Sequence, residues 1–226
     1  MDTLIYDIIV ICDKSGSMIS MGNEPIQALN DFIIEQKNTL TDSSTFTLWQ
    51  FNHENELKID DIPLKDVEVI TDFKPSGMTA LFDAIGNAIQ TKMQKSKKDN
   101  VICVIITDGI ENSSKEFAGK SVIQNLIKKV EQENDWKFIY LGANQDAFSV
   151  GENMGMHRNC CAQFEPEEGG LLRVARTVSH NIATYRNASS QGTQPEELAV
   201  NVPGEQPTPP VLVRQSLTIP NLIDPA

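Results

Sequence analysis

The chain of 226 residues has only four cysteines, few basic residues and no long apolar run at its start, and each shortage excludes a class of protein. Cys12, Cys103, Cys160 and Cys161 show no metal-ligand spacing, and two of them sit inside apolar strand-like runs, which predicts reduced thiols packed in a core. Met1 to Tyr6 carry an acid, Asp2, and no positive charge. The first apolar run, Ile8 to Cys12, is too short for a signal peptide or a membrane span. A cytoplasmic protein is expected. The 19 basic residues face 31 acidic ones, and a net charge of −12 argues against nucleic acid or an anionic membrane as partner.

Aromatic residues stop at Tyr185, whereas seven of the 11 prolines fall between Gln191 and Ala226. A segment of that composition cannot build a core of its own. The expected organisation is a single domain over residues 1–190 and a proline-rich, flexible tail over 191–226, in which the apolar stretch Val211 to Ile223 is a candidate docking segment.

What the chain does contain is 40% hydrophobic residues arranged in two alternating periodicities, the pattern of an α/β domain. Leu4 to Cys12 and Val101 to Ile106 are uniformly apolar, as strands buried on both faces are. Thr45 to Phe51 and Glu56 to Ile59 flank a turn and predict an antiparallel hairpin. Trp136 to Leu141 is a further strand. Helices are predicted after Asn23 and Pro25, over Leu81 to Ile89, ahead of Ile123 to Val130 with Ser113 and Glu116 as a capping box, over Gln145 to Met154, and through Leu171, Ala175, Val178, Ile182 and Tyr185.

Ligands of open α/β sheets bind at the carboxyl ends of strands, so the residues that follow each buried strand carry the chemistry. The first strand is followed by Asp13, Lys14, Ser15, Gly16, Ser17 and Met18, the fourth by Thr107, Asp108 and Gly109, and Thr79 stands in the turn before the second helix. Two carboxylates and three hydroxyls are hard oxygen donors that suit a small divalent cation such as Mg2+, with Mn2+ or Ca2+ as substitutes. Two aspartates emerging from neighbouring buried strands repel each other unless a cation lies between them. Taken singly, Ser15 and Ser17 read as turn residues and Thr79 as a helix cap.

Together these residues resemble the metal-ion-dependent adhesion site of the von Willebrand factor A family, whose Asp-x-Ser-x-Ser signature matches Asp13, Ser15 and Ser17, and whose separate threonine and aspartate match Thr79 and Asp108. The likeness runs from about Thr3 to Arg186 and is nearer to small intracellular bacterial and phage members than to adhesive ectodomains. It implies a Rossmann-like, doubly wound fold with a mostly parallel sheet, one antiparallel edge strand and helices on both faces. It also implies a divalent ion on Asp13, Ser15, Ser17, Thr79 and Asp108, completed by a carboxylate from a protein partner. Bacterial relatives of this kind often work beside AAA-type ATPases as adaptors or assembly factors, and others accompany kinases and phosphatases.

A non-enzymatic, metal-dependent protein-binding module is therefore the leading expectation. A Mg2+-dependent phosphoesterase or nuclease is the first alternative, since a strand-edge cation also polarises phosphoryl oxygens. A structural component of a larger assembly, such as a phage particle, is the second. Other polar residues have plainer readings: Asp83 as a first-turn helix acid, Lys92 to Lys98 as a helix C-terminal cluster, Asn144 as a helix cap with Asp146 opposing the dipole, and His53, His157 and His180 as surface or packing residues. Met18 and Met21 read either as an apolar rim or as core.

Overall fold

The side chains of the first strand point alternately into two separate cores, and this divides the whole domain into layers. The computed structural model describes residues 5–39, 44–143, 146–190 and 198–200. Its elements are β1 (Asp7–Asp13), α1 (Glu24–Lys37), β2 (Thr45–Phe51), β3 (Asn55–Pro63), α2 (Leu81–Met93), β4 (Val101–Thr107), α3 (Lys120–Asn134), β5 (Lys137–Gly142), α4 (Ala147–Asn153), β6 (Cys161–Gln163) and α5 (Gly170–Ser190). Ile8, Val10 and Cys12 of β1 pack with Leu29 and Phe32 of α1 and with Val174, Val178 and Ile182 of α5. Ile9 and Ile11 pack on the other side with Leu81 and Ile85 of α2 and Ile123 and Ile127 of α3. All seven residues of β1 and of β4 are buried, as their unbroken apolar runs require.

The six strands form one sheet in the order β3-β2-β1-β4-β5-β6. Every pair is parallel except β2 with β3, the antiparallel edge. β1 and β4 are hydrogen-bonded neighbours, with Cys12 opposite Ile106. The chain leaves β1 toward α1 on one face and leaves β4 toward α3 on the other, so the sheet's crevice opens above their carboxyl ends.

Several local expectations change. β6 was not foreseen, because three residues carry too little pattern to read. The capping box at Ser113 and Glu116 does not form: Ser113 N and Ser114 N donate to Glu111 Oε1 and Glu116 N to Asp83 Oδ1, and α3 starts only at Lys120 after Gly119. Asp146 is itself the cap of α4, accepting from Ser149 N at 3.0 Å, while Asn144 lies outside the described residues. Lys92 does lie in the last turn of α2, but it is buried and pairs with Asp7 Oδ2 at 3.2 Å and Asp61 Oδ1 at 2.9 Å.

Part of the expected tail folds back. Val200 N donates to Asn159 O at 2.6 Å, Asn181 Nδ2 donates to Ala199 O at 3.2 Å, and Leu198 and Val200 are buried in the core beneath α5. The candidate docking segment Val211 to Ile223 lies outside the described residues. Among those described, no helix is long and apolar enough to cross a membrane.

Candidate metal centre

Four chain segments meet above the ends of β1 and β4, joined by backbone hydrogen bonds. Lys14 N donates to Phe51 O, Ser76 N to Lys14 O at 2.8 Å, Gly16 N to Gly77 O at 2.9 Å and Ala80 N to Asn52 O at 2.7 Å. Gly77 has a φ of +79°, and a Cβ there would lie 2.2 Å from Nδ1 of His53, so the turn that delivers Thr79 requires glycine. His53 is exposed and its ring lies against this turn, within its reading as a surface or packing residue.

All five predicted donors converge on this point. Asp13 is fully buried at the last position of β1, where its Oδ1 accepts from Ser15 N at 2.6 Å and its Oδ2 from the Thr107 hydroxyl at 2.5 Å. The Ser15 and Ser17 hydroxyls are 3.1 Å apart, and Ser17 Oγ donates to Asp108 Oδ1 at 2.6 Å. Gly109 closes the group, because a Cβ at that residue would fall 2.7 Å from Thr79 Oγ1 and 3.5 Å from Asp13 Oδ2. The space a side chain would fill is left open between the threonine hydroxyl and the carboxylate.

The electrostatics of this cluster are unbalanced. Burial pushes the Asp13 carboxyl up to about 6, against the pull of the Thr107 and Ser15 hydrogen bonds, and the charge of Asp108 adds to the rise. Asp108 is also raised by burial, partly offset by the Ser17 hydroxyl. Asp108 Oδ2 is buried without a hydrogen-bond partner. Two under-compensated carboxylates, one with an orphaned oxygen, beside three hydroxyls and an open space, fit a hard divalent cation. Among the described residues no cluster of three or more His, Cys, Asp or Glu side chains forms, so a soft or imidazole-rich metal site has no counterpart here.

Three residues that organise the cluster were given no role by the sequence, although they lie beside Asp108 on the same sheet edge. Thr107 fixes Asp13, and its position directly before Asp108 was the only signal. Asn112 holds Thr79 through its side chain at 2.9 Å and its backbone at 3.0 Å. Glu111 accepts from Phe82 N at the start of α2, while Asp83 accepts from the backbone N–H groups of Lys115, Glu116 and Phe117. Asp83 therefore ties a loop to the helix rather than only opposing its dipole. Met18 and Met21 are both buried and belong to the core.

No known family's sequence profile matches the chain, and no curated protein matches it in sequence. Solved structures do. The chain is similar to the vWF domain of the type V pili tip protein Mfa5 from Porphyromonas gingivalis, with a TM-score of 0.60 and 12% identity over 87% of this chain and 99% of that one. It is similar to a von Willebrand factor type A protein from Catenulispora acidiphila, with a TM-score of 0.54 and 13% identity over 82% and 43% of the two chains. A third match is proximal thread matrix protein 1 of the mussel byssus with a zinc-occupied MIDAS motif, with a TM-score of 0.54 and 18% identity over 77% and 47%. The chain spans less than half the length of the last two. The fold is the α/β, Rossmann-like fold of von Willebrand factor A domains, with the antiparallel edge strand the sequence predicts.

Proposed function

We propose that the chain is a metal-dependent protein-binding module in which Asp13, Ser15, Ser17, Thr79 and Asp108 hold a divalent cation, Mg2+ by the hardness of the donor set. The observation that carries this reading is the buried, partnerless Asp108 Oδ2 facing the same cluster as a buried Asp13. A cation there would be charge-balanced by the two aspartates and, since the hydroxyls are weak neutral donors, would keep enough Lewis acidity to take a carboxylate oxygen from an acidic side chain of a partner. Asp13 and Asp108 supply the charge, Ser15, Ser17 and Thr79 complete the donor set, and Thr107 and Asn112 keep Asp13 and Thr79 in place. The zinc-occupied motif in the byssus protein lends support by analogy of fold. We assign no catalytic role, and the adaptor role beside an ATPase is one form this module would take.

Calorimetric titration with Mg2+ tests the site. Binding is expected in the wild type, together with a higher melting temperature by mass action, and is expected to vanish in Asp13→Ala and Asp108→Ala proteins that still fold. Equal Mg2+ affinity in all three would overturn the assignment. Mg2+-dependent hydrolysis of phosphoesters that Asp13→Ala abolishes would replace the binding module by the hydrolase.

A further inference from the structure

Three exposed apolar side chains stand on the segments that carry the site's donors, on a chain whose net charge is −12. Ile19, Met78 and Ile110 are among the most exposed large hydrophobic residues described, at 64%, 57% and 67%. Each belongs to a different segment of the site: Ile19 follows Ser17 by two residues, Met78 precedes Thr79 directly, and Ile110 follows Asp108 by two. The bond from Gly16 N to Gly77 O and the close approach of Gly109 to Thr79 hold these segments together, so the three exposed residues stand on adjoining segments of the site. The exposure of Ile19 follows from local geometry. Gly16–Met21 is a 3₁₀ helix, whose three-residue repeat turns Met18 and Met21 inward on one face and leaves Ile19 outside.

Charge is withheld from the same segments. Gly16 to Asn23, Pro75 to Phe82 and the pair Gly109 and Ile110 contain no acidic or basic residue. Glu111, next in the chain, has both oxygens on the N–H groups of Phe82, Ser113 and Ser114. Charged residues border these stretches, Lys14 paired with Glu56 and the exposed Lys74 among them, and the site's own charges are the two aspartates, which a cation would neutralise.

We infer that the site docks a protein segment in which an aspartate or glutamate is flanked by apolar side chains, with Ile19, Met78 and Ile110 covering the flanks. This rests on the carboxylate-binding reading above and adds to it the chemistry of the partner. The apolar contacts supply affinity in proportion to the area they remove from water, while the acid fixes the register.

The test is a displayed library of random heptapeptides with glutamate fixed at the centre, run beside a library with glutamine there, in Mg2+ and in chelator. The baits are the wild type and a triple variant, Ile19→Ser with Met78→Ser and Ile110→Ser. All three positions are exposed, so the variant is expected to melt as the wild type does and to bind Mg2+ unchanged. The wild type is expected to enrich Leu, Ile, Val, Met or Phe beside the glutamate, and the best peptide to lose about tenfold or more in affinity on the triple variant. Polar, basic or random flanks, or equal peptide affinity for the two baits, would overturn the apolar docking surface while leaving carboxylate binding intact. Failure to distinguish glutamate from glutamine, or Mg2+ from chelator, would instead overturn the metal-bridged reading and this inference with it.

Discussion

Asn112 grips Thr79 from both sides of one residue, accepting from Thr79 N through its Oδ1 at 2.9 Å and donating from its own N to Thr79 O at 3.0 Å. The loop after β4 therefore sets the position of a hydroxyl that belongs to the turn before α2. Thr79 is 3% exposed, so truncating its partner leaves a buried N–H unsatisfied. Asn112→Ala is expected to destabilise the fold by about 1–3 kcal/mol and to weaken Mg2+ binding, measured by urea unfolding and calorimetry. Full Mg2+ affinity in that variant would show that Thr79 needs no such support.

The Asp13 carboxyl, pushed up to about 6 by burial and by Asp108, gives the metal-free protein a pH signature. A carboxyl raised above its unfolded value of about 3.9 stabilises the fold fully below that pH and loses this contribution as pH rises through its folded value. In chelator the wild type is expected to lose on the order of 2 kcal/mol from this group between about pH 4 and pH 7. Asp13→Asn should remove that loss, melting above the wild type at pH 7 and alongside it near pH 4. Saturating Mg2+ should reverse the order at pH 7, because only the wild type binds it. Parallel pH profiles for the two proteins in chelator would contradict the buried, uncompensated charge.

Most of the sheet was legible because its buried strands leave unmistakable runs: Ile8 to Cys12 and Val101 to Ile106 carry no charged residue and end in Asp13 and, one residue past Thr107, Asp108. Asp13, Ser15, Ser17 and Asp108 follow from those ends and Thr79 from the turn before α2, and the structure gathers all five at the β1 and β4 edge. What escaped depends on contacts between distant segments. The signal for a capping box at Ser113 and Glu116 is local, yet Glu111 and Asp83 claim those backbone groups from positions that no spacing rule connects. Lys92 looked like one of several lysines, and only the fold places its ammonium between Asp7 and Asp61. The separation of Met18 and Met21 from Ile19 likewise depends on the helical turn they form.

Lys92 is buried with a side chain 4% exposed, beside Asp7 at 5%. Lys92→Met strands a buried aspartate and is expected to cost about 3–5 kcal/mol in denaturant unfolding. Adding Asp7→Asn should recover part of that loss, because the amide still offers an oxygen to Thr45 N and only the part-exposed Asp61 is left without its ammonium. Lys95→Met breaks an exposed pair with Asp60 and should stay within about 0.5 kcal/mol. Equal costs for the two lysine variants would show that the buried pair adds no more than a surface one.

The folded-back residues 198–200 predict a sharp difference between two truncations. A chain ending at Val200 keeps Leu198 and Val200 in the core and the hydrogen bond from Val200 N to Asn159 O. A chain ending at Ser190 loses them and uncovers the apolar surface they occupy. The shorter chain is expected to be less stable than the longer by about 2–4 kcal/mol, from the burial of two aliphatic side chains net of ordering cost. Identical thermal melts for the two would mean that the segment contributes nothing to the fold.

Thr79 separates metal binding from partner binding. Its hydroxyl sits 2.7 Å from where a Cβ on Gly109 would lie, at the edge of the open space beside Asp13. Thr79→Ala leaves Asp13, Ser15, Ser17 and Asp108 in place, so much of the weak Mg2+ affinity should persist, while Mg2+-dependent capture of a glutamate-bearing peptide should fall by about tenfold or more. Exchanging that glutamate for glutamine should weaken capture comparably. Because both changes act through one ion, combining them is expected to cost little more than either alone, a non-additivity that a double-mutant cycle measures directly. Fully additive losses would mean that hydroxyl and carboxylate act independently, and the cation would then not be the bridge between this protein and its partner.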